Sequence, residues 1–212
     1  MKLLHISLLC GLVACLLAPV GAAPAKVVKN KAAAGRTTGT ISVVEREFDM
    51  AYKALDQGQP TVAVGLFRKA LQTEPLNRRG RFGLSTALIQ TDNYKEALEI
   101  LEVMLKETPK DYVLKNNTAW IYATARNAKM RNGPRAIQLA QEALLLNPID
   151  CHVWSTLAEA YYISGRYDKA LRSANEALRV GRETSADAKL LEQYQIQVER
   201  CRKSAETSSI LE

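Results

Sequence analysis

A period of 34 residues constrains this chain more than any other feature. Small residues recur at Ala63, Ala97, Ala136 and Ala170, at spacings of 34, 39 and 34. Pro75, Pro109 and Pro148 repeat the 34 and 39. Four residues after the first set stand Phe67, Leu101, Ala140 and Ala174, and seven after it Ala70, Met104, Ala143 and Ala177. The chain therefore carries one unit four times, with five extra residues in the third copy. Such a unit buries its apolar face only against its neighbours, so the copies must stack into an array.

Each unit reads as two amphipathic helices. In the copy that starts at Cys151, Trp154, Leu157, Ala158 and Tyr161 fall at i, i+3, i+4 and i+7, one face of a first helix that Gly165 closes. Ala170, Ala174 and Ala177 line a second helix at similar spacing. Small residues there let two helices approach closely, and a bulky replacement costs about 1–3 kcal/mol by overpacking. The proline after the second helix lacks an N–H and fixes φ, so it ends one unit and starts the next.

The period, the alanine spacing, the Trp154/Leu157/Ala158/Tyr161 cluster and the closing proline resemble the tetratricopeptide repeat (TPR) family. In particular they resemble exported bacterial TPR proteins with an expanded third repeat. The resemblance covers residues 44–184 and implies an all-α TPR solenoid of four helix-hairpin repeats, 44–77, 78–111, 112–150 and 151–184. Glu47, Arg81 and Lys115 depart from it where the family has an aromatic residue, as does Arg182 at the last proline. Residues 185–206 read as a C-terminal capping helix with Leu190, Leu191, Tyr194 and Val198 as its apolar stripe and Thr184 or Ser185 as N-cap. Residues 207–212 read as a disordered tail.

The first 25 residues have the layout of a secretory signal peptide: Lys2, an apolar run from Leu3 to Val20, and a small-x-small site at Ala23-Pro24-Ala25. Two alternatives stand beside cleavage there. The run is long enough for an uncleaved anchor, and Leu12-Val13-Ala14-Cys15 resembles a bacterial lipobox, with lipidation at Cys15. Each places the chain outside the cytoplasm, in the periplasm or anchored to a membrane facing it. Residues 26–43 read as a basic flexible tether. Without residues 1–25 the chain holds 28 basic residues against 22 acidic ones, a balance that favours an acidic partner. Export argues against nucleic acid, and the membrane enters only through an uncleaved anchor or Cys15.

Little in the sequence can carry catalysis. His152 is the one histidine beyond the signal segment, and no Gly-rich phosphate loop, H-E-x-x-H or C-x-x-C appears. We expect no enzyme, no cofactor and no metal site. His152 reads as a surface or groove residue. Cys151 and Cys201 read as free thiols, because a first helix and the last helix that start side by side leave them about 24 Å apart.

The resemblance implies instead a concave groove that binds a protein or peptide. The family's groove positions fall on Phe48, Asp49, Tyr52 and Leu55, then Phe82, Thr86 and Ile89. They continue with Asn116, Asn117, Trp120 and Thr124, then His152, Thr156, Glu159 and Tyr162. For Phe48, Tyr52 and Trp120 the inter-helix core is the competing place. The family's terminal-carboxylate clamp is absent, since Phe48, Tyr52 and Gly83 occupy its positions. The function implied is a non-catalytic binding scaffold of the bacterial cell envelope, such as an adaptor in pilus, secretion or envelope assembly. The alternatives are a self-associating structural homo-oligomer and an outer-membrane lipoprotein anchored through Cys15. The five extra residues fall at the turn inside the third unit, where Arg126, Lys129, Arg131 and Arg135 form a basic loop without an acid. That loop is either solvated or an edge site for an acidic partner.

Overall fold

The computed structural model describes residues 42–211, which form nine α-helices and one short 3-10 turn. The readings of the signal segment, Cys15 and the tether up to residue 41 lie outside the described residues. Four hairpins follow one another: α1 (Val43–Asp56) with α2 (Pro60–Thr73), α3 (Arg78–Gln90) with α4 (Tyr94–Glu107), α5 (Tyr112–Thr124) with α6 (Gly133–Leu146), and α7 (Cys151–Ile163) with α8 (Tyr167–Glu183). A longer helix, α9 (Ala188–Leu211), closes the array.

Helix starts and stops follow from local chemistry. Ser42, Asn77, Asp111 and Asp150 each cap a first helix by accepting a backbone N–H with the side chain. The second helices stop at Glu74, Thr108 and Asn147, each immediately before one of the periodic prolines. Three hairpin turns close through a residue at positive φ: Gly58, Asp92 and Gly165. In the last of these, the Arg166 N–H returns to the Tyr161 carbonyl at 3.0 Å. Ser185 has the same backbone twist between α8 and α9. It therefore ends α8 instead of capping α9; Asp187 is the cap, accepting the Leu190 N–H at 2.8 Å. The last helix also runs through residues 207–211, the stretch expected to be a tail. Arg202, paired with Glu199 and Glu206 at helical spacing, supports that extension.

The periodic positions are the core. Ala63, Ala97, Ala136 and Ala170 are fully buried, as are Phe67, Leu101, Ala140 and Ala174. On the first helices, Ala51, Ser85, Ala119 and Ala158 recur at one place in the unit and are also fully buried. With a small residue there, α1 lies against α3 and α5 against α7, while the second helices do not pack on one another as closely. That inequality bends the array and puts the first helices on its inner side.

Cys151 and Cys201 are both free thiols, as expected, and both are buried; burial pushes the Cys201 thiol up to about 11. Gly83 on α3 shows how tight the packing is. A Cβ at this position stands 2.2 Å from the Phe67 ring. Gly83→Ala gains about 1 kcal/mol in helix propensity, but the fixed ring makes overpacking the larger effect. We predict a net loss of about 1–2 kcal/mol, read as a lower urea midpoint with an unchanged slope.

Candidate functional site

The inner face of α1, α3, α5 and α7 carries the expected groove residues, and the structure sorts them into three groups. The first belongs to the core. Phe48 is fully buried and Trp120 nearly so, both within the cluster built on Phe67 and Leu101. These two are corrections to the expected groove surface. Tyr52 is half-buried beside them, its ring 5.0 Å edge-on to Phe67 and its hydroxyl donating to the Arg79 carbonyl at 2.8 Å. Burial pushes that phenol up to about 12. Asp49 is exposed, and with Glu45 it holds Arg79 at 2.7 and 3.0 Å. Leu55 and Ile89 are also buried.

The second group is closed by α9. Tyr194 Oη sits 3.2 Å from His152 Nδ1. Gln197 donates to the Ser155 carbonyl at 3.1 Å and to Glu159 at 2.6 Å. Arg200 pairs with Glu159 and stacks over Tyr162 at 4.5 Å. The Tyr162 hydroxyl meets Ser204 at 3.1 Å. Thr156 is buried and donates to the His152 carbonyl within its own helix. Thus His152, Thr156, Glu159 and Tyr162 do not line an open groove; they form the seat of the last helix. The residues missed here are Gln197 and Arg200. Gln197 is almost fully buried and occurs one turn after Tyr194, a polar member of an apolar stripe. A glutamine on a terminal helix reads as solvent-facing unless its partner Glu159 is known.

The third group lies on α3 and α5, and of its members only Phe82 and Thr124 keep exposed surface. Phe82 is half-buried on α3. The Thr86 and Thr124 hydroxyls are used within their own helices, on the Phe82 and Trp120 carbonyls. Asn117 is different. It is 1% exposed, and neither its Nδ2 nor its Oδ1 has a protein hydrogen-bond partner. The Oδ1 of neighbouring Asn116 is also unpartnered.

The basic loop is tied down at one end. Ala125 is extended at the end of α5 and buried, so no positive-φ turn closes this hairpin. Arg126 reaches Asp92 in the preceding hairpin's turn at 3.0 Å, and the Tyr94 hydroxyl meets the same carboxylate at 2.6 Å. The chain then makes a 3-10 turn over Ala128–Met130, and the Asn132 N–H returns to the Tyr122 carbonyl at 2.9 Å. Gly133 is required by close approach, since a Cβ there meets Ser164 Oγ at 2.2 Å. The loop therefore works as a strap between hairpins, and it leaves Lys129 and Arg131 exposed.

Asp150, Cys151 and His152 bring a carboxylate, a thiol and an imidazole within 4.8 Å of one another. Their other contacts account for them without a metal. Asp150 Oδ1 caps the His152 N–H, His152 Nδ1 is on Tyr194, and burial pushes the Cys151 thiol up. The positive end of α7 also opposes a cation there.

Comparison with known proteins matches this geometry. A tetratricopeptide repeat family model matches residues 54–115, and a second one matches residues 151–182. The helical array is a solenoid of tetratricopeptide repeats. A thermophilic TPR protein of Thermus thermophilus superposes with a TM-score of 0.57 at 16% identity, over 77% of this chain and 92% of that one. MamA of Desulfovibrio magneticus RS-1, residue 41 to the end, gives 0.56 at 15% identity, over 82% and 94%. At these identities the likeness is one of fold alone. Superkiller protein 3 of Schizosaccharomyces pombe is 27% identical over 117 residues, or 54% of this chain. Superkiller complex protein 3 of Mus musculus is 28% identical over 120 residues, or 57%. This chain spans 8% of the length of each of these two relatives.

Within the TPR frame, His152 gives a pH prediction. Burial lowers its pKa, against the pull of Asp150 and Asp187. The folded state thus prefers the neutral ring, with Tyr194 facing it. Its contribution is complete above the unfolded-state value of about 6.5 and is lost as pH falls from there through the lower folded-state value. Chemical-denaturation midpoints should fall between pH 7 and pH 5, and His152→Gln should flatten that slope.

Proposed function

We propose that this protein is a non-catalytic scaffold that binds a polypeptide segment across the inner face of α3 and α5. The observation that carries the reading is the Asn117 side chain, buried on that face with both polar atoms unpartnered. Leaving a buried amide unmade costs about 1–3 kcal/mol, so the position is not explained by stability. A primary amide offers one donor group and one acceptor, the pair that an extended main chain also presents. Asn116 adds a second acceptor, and Phe82 occupies on α3 the place that Asn116 occupies on α5, supplying apolar surface beside them. Tetratricopeptide arrays serve as protein-interaction scaffolds, which supports the same reading.

From the sequence of the N-terminal segment we infer that this scaffold lies outside the cytoplasm, tethered by residues 26–43 or anchored by lipid on Cys15. An adaptor in cell-envelope assembly fits that combination of export signal, basic tether and peptide groove.

Asn117→Leu tests the groove. The variant removes an unpaired buried amide at similar volume, so it should raise stability by about 1 kcal/mol. The same change should abolish recovery of partners from native envelope extracts on immobilised protein. Equal recovery by wild type and variant overturns the reading.

A further inference from the structure

The outer side of the array holds a second surface that the inner groove does not involve. Where α6 and α8 splay apart, a groove of about 610 Å³ opens between them, floored by α7. Leu144 and Leu145 form one wall, Trp154 and Leu157 the floor, and Lys169 and Arg172 the other wall. Leu145 is 86% exposed, and Leu146 and Ile149 extend the apolar surface past the end of α6. Leu145 belongs to no core cluster, whereas Leu157 is part of the core and Leu144 and Trp154 pack against it. The floor is held in place: Trp154 Nε1 donates to the Pro148 carbonyl at 2.8 Å, and Gln141 donates to the hydroxyl of the adjoining Tyr161 at 3.0 Å.

Charge selects the occupant. Eight arginines elsewhere on the array pair with acids (Arg68, Arg78, Arg79, Arg81, Arg126, Arg179, Arg200 and Arg202), whereas Arg131, Arg135, Arg166 and Arg182 take part in no ion pair among the described residues. Lys169 and Arg172 take part in no ion pair among the described residues; the Lys169 ammonium lies over the Tyr161 ring, 5.8 Å from its centroid. Two acids on the same helices are committed elsewhere, Glu142 to Lys115 and Glu176 to Arg179. Asp168, the acid nearest in sequence, stands roughly 100° around the helix from Lys169 and one turn before Arg172, with which it forms no ion pair. The groove thus joins a fixed apolar floor to one wall that presents two cations outside any ion pair.

We propose that this outer groove docks an acidic amphipathic segment of a partner protein. Its apolar side chains would cover Leu145 and Trp154, and its carboxylates would face Lys169 and Arg172. A recessed floor with both cations on one wall suits a segment with one charged edge, and a flat anionic membrane cannot reach Trp154 and Leu157 between two helices.

The test uses the full chain and two labelled 18-residue peptides with leucine at i, i+3, i+4 and i+7. One carries glutamate and the other lysine at the remaining positions, and binding is read by fluorescence anisotropy. The acidic peptide should bind at least tenfold more tightly than its basic twin, and less tightly as salt rises. The double variant Lys169→Glu/Arg172→Glu should reverse that preference, and Leu145→Glu, at an exposed position, should abolish acidic-peptide binding without altering the melt. Asn117→Leu should leave acidic-peptide binding unchanged, so failure of the inner groove and failure of this one are distinguishable. Equal binding of both peptides overturns the proposal, as does a preference that survives the double charge reversal. Two further results overturn it: loss of acidic-peptide binding in Asn117→Leu, or capture of phosphatidylglycerol vesicles through Lys169 and Arg172 with no peptide binding.

Discussion

Close approach of helices at small side chains is the constraint on which the rest of this structure depends. Ala51, Ser85, Ala119 and Ala158 recur on the inner helices, and Ala63, Ala97, Ala136 and Ala170 on the outer ones, all without exposure. A methyl group or a hydroxymethyl is the largest side chain that these contacts accept at this spacing, since interiors are packed too densely to absorb another methylene. Two inner pairs therefore meet directly, α1 with α3 and α5 with α7, while the outer helices stand apart. Both surfaces follow from this one inequality: the inner face that carries Asn116 and Asn117, and the outer groove over Trp154.

The end of the array is solved by a different means. A fifth hairpin does not follow α8 in the described residues, and α9 lies instead over the polar face of α7. Its contacts are a buried network of His152, Ser155, Glu159 and Tyr162 with Tyr194, Gln197, Arg200 and Ser204. Glu159 is 5% exposed. Removing one partner of such a carboxylate leaves a buried charge, a loss larger than the net worth of the pair. The network thus closes the groove at its C-terminal end and leaves α3 and α5 as the part of the inner face with unmet hydrogen-bonding capacity.

Much of the fold was legible in the residues alone, because helical periodicity and cap chemistry are local. The prolines after the first three second helices and the glycine turn at Gly165 appear in the structure where their chemistry requires them. The candidate site was legible only in part. Position within a repeat tells which side of a helix a residue takes, but not how far away the next helix stands. Phe48 and Trp120 lie on the inner side and are nevertheless covered, since neighbouring helices come close enough to bury a ring. Thr156, Glu159 and Tyr162 are covered by a helix whose polar residues read as solvent-facing. The five extra residues of the third unit were visible as a basic excursion, whereas the Arg126–Asp92 anchor that makes them a strap needs both hairpins in place.

By itself, then, the sequence determined the repeat, the four helix hairpins, the small residues at their contacts and the helix ends set by the periodic prolines. Each of these is an interaction between residues a few positions apart, or a pattern repeated without change. Tertiary structure decided which inner residues keep a free surface, that α9 and not solvent covers the last unit, and that Lys169 and Arg172 share a groove with Leu145 and Trp154. Those outcomes depend on the distance between helices far apart in the chain, which packing sets and no local pattern encodes.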